Sequence, residues 1–156
     1  MRWLDETEMR AWRGMVEVFS DVRAALESDL LEQHGIGEGD YGVLVHLAEA
    51  PERAMRMCDL AGRLHLSPSG LTRRLDGLVR DGLVGRVPAP DDRRVTLAVL
   101  TPKGQRLLEA AAPDHVDSVR RHFLDHLTPA QLRHLGNAMH AVGVSRAATA
   151  AEPAPA

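Results

Sequence analysis

Apolar residues recur at spacings of three and four along most of the chain, the period of an amphipathic helix. Trp12, Met15, Phe19, Val22, Leu26 and Leu30 mark one such stripe and predict a helix from about Thr7 to Leu31. The stripe serves either the chain's own core or the surface of a second subunit. Gly35, Gly37 and Gly39 interrupt it. Asp40 is then placed to cap a second helix, Tyr41 to Ala50, with Val43, Leu44, Leu47 and Ala48 inward, and Pro51 ends it. Arg56 to Leu64 reads as a short third helix burying Met57, Leu60, Ala61 and Leu64.

The segment HLSPSGLTRRLDGLVRDGLVGR carries the clearest local signal. Ser67 offers a cap hydroxyl, and Pro68 sits at the first helical position, where its missing N–H costs nothing. Leu71, Leu75, Leu78 and Val79 form the inner side, while Ser69, Arg73, Asp76 and Arg80 lie opposite with Thr72 on the flank. Asp81-Gly82 stops the helix. Two helices joined by the short Leu66-Ser67 turn, the second small near its start and basic along its outer face, suggest a helix-turn-helix whose second helix reads DNA.

A hairpin follows. Leu83 to Val87 is a short strand, Pro88-Ala89-Pro90-Asp91-Asp92 its turn, and Val95, Leu97 and Val99 alternate as the return strand. Arg93 and Arg94 stand where the turn becomes the second strand. Arginines near the tip of such a wing suit a narrow minor groove, where the potential is most negative. Asp92 can hold the Arg94 guanidinium in a bidentate pair. A solvated charged turn is the alternative reading. Beyond it, Thr101-Pro102 and Thr128-Pro129 repeat the cap-plus-proline signal. Leu107, Leu108 and Ala111 lead to Pro113, which kinks the helix or starts a new segment. Val116, Val119, Phe123 and Leu127 continue the pattern, and Leu132, Leu135, Met139 and Val142 line the last helix. From Ala147 the chain has little to bury and reads as a disordered tail.

Composition changes this picture only in its electrostatics. The net charge is -3 over 156 residues, which argues nothing for a nucleic-acid partner. The distribution does. From Arg63 to Arg94 there are seven arginines and four aspartates, while the first forty residues carry acids such as Asp5, Glu6, Glu8, Glu27 and Glu38. A chain acidic at one end can therefore present a basic face in its middle. Aromatics are only 3%, with alanine and leucine filling apolar positions, which favours a mostly helical fold. The single Cys58 excludes an internal disulfide and suggests a reducing compartment. The start, MRWLDETEMR, has charges where a signal peptide needs an apolar stretch, and no run is long enough to span a bilayer, so the cytoplasm is expected and no membrane partner.

The pattern resembles the MarR family of winged helix-turn-helix regulators over essentially the whole chain to about Arg146. The likeness is strongest in SPSGLTRRLDGLVRDGLVGR followed by DRRVTLAVLTPKG. The family's wing reads as an Asp, an arginine two positions on, a valine, a Leu-Thr pair and a glycine; here these positions are Asp92, Arg94, Ala98, Leu100, Thr101 and Gly104. Ala98 departs from the valine. Asp91 and Arg93 duplicate the Asp-x-Arg spacing one residue earlier, which leaves two wing registers.

The resemblance implies a mainly α fold with a small β-hairpin wing, a winged helix-turn-helix with flanking dimerisation helices. Residues 1–35 would be the N-terminal dimerisation helix, 36–100 the DNA-binding lobe, 101–146 the C-terminal dimerisation helices and 147–156 the tail. It implies a homodimer on a pseudo-palindromic double-stranded DNA operator, acting as a repressor released by a small lipophilic or aromatic ligand. The recognition helix would bind through Ser69, Thr72 and Arg73, with Ser67 and Arg74 on the DNA backbone, and the wing through Asp92, Arg93 and Arg94. A ligand pocket between the lobes would draw on Trp12, Met15, His46, Arg63 and His65.

Other classes find less support. Cys58, beside Met57 and Leu60, reads as a buried inert thiol. His122 and His126 are spaced for one helix face, but no cysteine or compact acid set completes a metal site. No Gly-rich phosphate loop, HExxH or GxSxG appears, and Gly35-x-Gly37-x-Gly39 follows a helix rather than a strand, so no enzyme and no cofactor are expected. The remaining rival is a winged-helix protein–protein module without DNA binding.

Overall fold

The computed structural model of the protein describes residues 1–151. They divide into two compact units, Met1–Ser118 and a second from Val119 onward. The first unit opens with α1, Glu6–His34. A reciprocal capping box starts it: the Asp5 carboxylate accepts from the Glu8 N–H at 2.9 Å, and the Glu8 carboxylate accepts from the Asp5 N–H at 3.0 Å. Gly35 ends it in a left-handed conformation, φ 65°. Of the predicted stripe, only Leu26 and Leu30 enter the core; Trp12, Met15 and Phe19 are exposed.

Helix α2 spans Glu38–Ala48, three residues earlier than expected from Asp40. Its cap is tertiary, not local: the Glu27 carboxylate of α1 accepts the backbone N–H of Glu38. An acid from another helix thus satisfies an orphan N-terminal donor and frees Asp40 for a different partner. A short strand, β1 (Ala54–Arg56), precedes α3, Met57–Arg63. The turn into α4 (Pro68–Arg80) places His65 at φ 52°. Strands β2 (Val84–Pro88) and β3 (Thr96–Leu100) form the hairpin, and β1 adds to its other side, giving an antiparallel sheet of order β1-β3-β2.

The phase of β3 corrects the expectation. Ala98 and Leu100 are buried, while Leu97 and Val99 are only half-buried. Apolar alternation at Val95, Leu97 and Val99 marked the less covered face. Ala98, fully buried where the family pattern has valine, packs in the core with Leu44, Leu47, Leu60, Leu71, Leu75, Leu78 and Val84.

Thr101 caps α5 (Pro102–His122) by accepting from the Gly104 N–H at 3.0 Å. The helix runs through Pro113 without a break, so this proline neither ends nor restarts it. Leu108 and Ala111 complete the core of the first unit. Gly104 lies so close to the Leu83 carbonyl that a Cβ there would overlap it.

In the second unit α6 spans Pro129–Ala151. Thr128 and Gln131 start it with another reciprocal box, the Thr128 N–H donating to Gln131 Oε1 at 2.9 Å. Leu132 and Leu135 are half-buried, and Met139 and Val142 are exposed. Residues 147–151 of the expected tail are helical; 152–156 lie outside the described residues.

Candidate nucleic-acid interface

The site is built on α4. Leu71, Leu75 and Leu78 anchor one side of the helix in the core, which forces the opposite side outward. Ser69, Thr72, Arg73, Asp76 and Arg80 are all exposed there. Ser67 caps the helix as predicted, its Oγ accepting from the Gly70 N–H at 3.1 Å and lying 3.2 Å from Ser69 Oγ. The Thr72 hydroxyl donates to the Pro68 carbonyl at 2.9 Å, which fixes its rotamer and leaves its oxygen able to accept.

Arg74 behaves differently. It is half-buried, and its Nη1 donates to Asp40 Oδ1 of α2 at 3.0 Å. A Cβ on Gly39 would overlap the guanidinium, so a glycine makes room for the pair. This charge braces α4 against α2 instead of standing free with Arg73.

The wing turn is held by its own backbone. The Ala89 N–H donates to the Val95 carbonyl at 2.8 Å, and the Val95 N–H to the Asp92 carbonyl at 2.9 Å. Asp92 does not hold the Arg94 guanidinium; its Oδ1 accepts the Arg94 backbone N–H at 2.9 Å. An Asx-type turn wins because the acceptor meets an amide two residues on without ordering a long side chain. Arg93 and Arg94 are both exposed and form no ion pair among the described residues. Asp91 instead approaches Arg56 of β1, at 3.7 Å.

One residue that joins the wing to α4 was not singled out from the sequence. Arg86 of β2 donates from Nη1 to Asp76 Oδ1 at 2.8 Å and from Nη2 to the Thr72 carbonyl at 3.0 Å. It lies on the sheet face of Val84 and of its partner Ala98, turned toward α4, and the sheet-to-helix distance that makes it a clamp is tertiary. Lys103 similarly closes the end of α4 by donating to the Asp81 carbonyl at 2.8 Å.

The five residues expected at a ligand pocket do not converge on one cleft. Trp12 and Met15 are exposed on α1, His46 is half-buried on α2, and Arg63 and His65 are exposed at and after the end of α3. An open cleft of about 700 Å³ does lie between α1, the start of α2 and Arg74, but none of the five lines it. Phe19, Arg23, Glu27, Leu31, Glu38 and Asp40 do. Arg23 pairs with Glu38 at 2.6 Å and lies 5.6 Å from the Phe19 ring centre.

Two groups behind α2 have shifted titration. Burial raises the Tyr41 hydroxyl above its ordinary range. Burial also lowers His115, whose ring lies 4.6 Å from that of Tyr41, with the Glu38 charge opposing in part. Cys58, expected to be buried, is exposed, its Sγ 3.4 Å from Asp59 Oδ1. The buried face of α3 is set by Leu60 and Ala61, and Cys58 falls to one side of it. No group of three or more His, Cys, Asp or Glu is gathered as a metal site among the described residues, and none of their helices is long and apolar enough to cross a membrane.

Comparison with known proteins places this geometry. Residues 34–95 match the model of the MarR family. AbsC, a MarR family transcriptional regulator from Streptomyces coelicolor, is 38% identical, with a TM-score of 0.87 over 95% of this chain and 99% of that one. Sco3205 of the same organism, a MarR family transcriptional regulator solved in complex with DNA, is 36% identical, with a TM-score of 0.87 over 100% and 95%. The transcriptional repressor YetL of Bacillus subtilis is 33% identical over 85 residues, 54% of this chain and about half of that protein's length (51%). The exposed face of α4, the three-stranded wing and near-complete alignment with solved members establish that the protein belongs to the MarR family of transcriptional regulators, which are not enzymes.

Proposed function

We propose that the protein is a homodimeric, sequence-specific regulator of double-stranded DNA, with α4 in the major groove and the wing in the neighbouring minor groove. The observation that carries this reading is the division of α4: three buried leucines on one side, and Ser69, Thr72 and Arg73 exposed together on the other. The wing then offers Arg93 and Arg94 with no ion pair on either guanidinium among the described residues. Sco3205, similar over 95% of its length, was solved with DNA. Ser69, Thr72 and Arg73 read base edges, Ser67 meets the backbone, and Arg74 acts through its brace to Asp40.

A second copy of the chain covers the apolar surfaces of α1 and α6. Trp12 and Phe19 are 55% and 62% exposed, and Met139 47%, a cost that a lone soluble chain has no reason to carry. Two recognition helices then face a pseudo-palindromic operator. The regulator acts as a repressor, as YetL is named, and a small apolar or aromatic effector in the α1–α2 cleft releases it.

Fluorescence anisotropy with operator and random duplexes at two salt concentrations tests this. Arg73→Ala should cost the operator about 1–3 kcal/mol and narrow the gap to random DNA. Arg94→Ala should weaken binding most on A·T-rich flanks, with fold and dimer intact. Failure of the wild type to bind any duplex at low salt would overturn the reading and favour a winged-helix module that joins proteins.

A further inference from the structure

Strand β1 ends in an arginine that stands apart from the exposed face of α4. Along β1 the side chains alternate: Met55 lies opposite Ala98 on the face that packs into the core, and Arg56 lies opposite Leu97 on the other face. Arg56 is therefore outside the core at the edge of the sheet, with its side chain 52% exposed. Its guanidinium reaches along the wing to 3.7 Å from Asp91 Oδ2. That brings a positive charge to the wing turn, at the residue two positions before Arg93 and three before Arg94. The tie itself is weak. The contact is long, Asp91 is 74% exposed, and neither side chain has another hydrogen bond or ion pair among the described residues. A pair this exposed contributes little to stability, and most donors of the guanidinium fork remain unused.

We propose that Arg56 is a phosphate contact of the wing: it leaves Asp91 for a phosphodiester on the strand that borders the minor groove. The inference rests on the DNA reading and adds a residue to it. The minor groove is only about 6 Å wide and has a phosphate strand on either side. Neighbouring strands of a sheet lie about 4.8 Å apart. A wing that enters the groove by the turn between β2 and β3 sets β1, beside β3, over one of those phosphate strands. Arg56 is then too far to the side for a base edge and well placed for the backbone. A phosphate offers the fork two oxygens at close range, where Asp91 offers one at 3.7 Å. Asp91 is the internal competitor, and near DNA its own charge is repelled. The contact carries no sequence information; it sets how the wing is seated on the duplex.

Because a backbone contact is independent of sequence, the probe is a fluorescent duplex of random sequence, titrated with the full-length protein across a series of salt concentrations. Each phosphate contact adds about 0.9 to the slope of log affinity against log salt. Arg56→Gln should flatten that slope by about 0.9 for each chain bound, and Arg56→Lys should keep it, since an ammonium also meets a phosphate. Asp91→Asn should bind more tightly, with a slope no shallower than that of the wild type. A purely structural tie requires the opposite sign. If Arg56 only positioned the wing through Asp91, Asp91→Asn would weaken binding as Arg56→Gln does, and that result overturns the contact. So does an unchanged slope in Arg56→Gln. Equal flattening in Arg10→Gln, which removes an exposed charge from α1, overturns it too, by making the effect one of overall charge. A wild type that binds no duplex refutes the DNA reading and the contact together, whereas wild-type binding with the slope intact in Arg56→Gln refutes the contact alone.

Discussion

The clamp made by Arg86 can be taken apart bond by bond. It joins the wing to α4 through one charged and one neutral acceptor, Asp76 Oδ1 at 2.8 Å and the Thr72 carbonyl at 3.0 Å. The Arg86 side chain is 31% exposed and Asp76 60%. Exposed pairs contribute about 0.2–1 kcal/mol, and the covered arginine with its short contact places this one near the upper end, about 1 kcal/mol. The carbonyl contact adds about 1 kcal/mol, the middle of the range for a net hydrogen bond. Arg86→Ala should therefore destabilise by about 2 kcal/mol, of which only about half is shared with Asp76. Urea unfolding of the wild type, both single alanine variants and the double variant isolates that shared half as a coupling energy. Protein concentration must be fixed, because the proposed dimerisation would contribute to apparent stability. Arg86→Lys should fall between wild type and alanine, since an ammonium can meet Asp76 but has no second arm for Thr72. A coupling energy below about 0.2 kcal/mol, the floor for exposed pairs, would refute the clamp.

Three further outcomes follow from other parts of the first unit. Gly104→Ala drives a Cβ into the Leu83 carbonyl and against Leu100, and should cost about 1–3 kcal/mol or more in urea unfolding, because one neighbour is backbone that cannot rotate away. His115 has its folded-state pKa lowered mainly by burial, so its contribution is complete above the ordinary value of about 6.5 and is lost as pH falls through the folded value. Thermal unfolding from pH 8 to 5 should show this loss, and His115→Phe, which keeps a ring against Tyr41, should flatten it; an unchanged profile would count against the assignment. Cys58 should react with a chromogenic disulfide in the native protein, at a rate that does not wait for unfolding.

What could be read in advance was what the chain decides locally. Ser67-Pro68 caps α4 with atoms three residues apart, and Leu71, Leu75 and Leu78 lie on one face whatever surrounds the helix. Asp40 was misplaced because the cap of α2 comes from Glu27, which no local pattern joins to Glu38. Strand β1 is three residues long, too short for an alternation, and exists because β3 pairs with it at Ala54↔Val99 and Arg56↔Leu97. The phase of β3 was hidden because valine and leucine outrank alanine in any hydropathy count, yet the small Ala98 lies in the core. Cys58 is next to Met57 in sequence but off the face that Leu60 and Ala61 bury. The ligand candidates failed to converge for a similar reason: position along the chain says nothing about which helices open a cleft between them.

The ties on α4 also bear on how such a regulator can change its operator over evolutionary time. Positions that read DNA are free to vary only where folding does not already use them. Arg74 is held by Asp40 over Gly39, Asp76 is held by Arg86, and Ser67 caps the helix. That leaves Ser69, Thr72 and Arg73, whose side chains form no hydrogen bond or ion pair beyond α4 and its cap among the described residues. If α4 reads DNA as proposed, new specificities should accumulate at those three positions, since a change there would alter the bases recognised without drawing on the stability of the fold, whereas a change at Arg74 or Asp76 must be accompanied by one in α2 or β2.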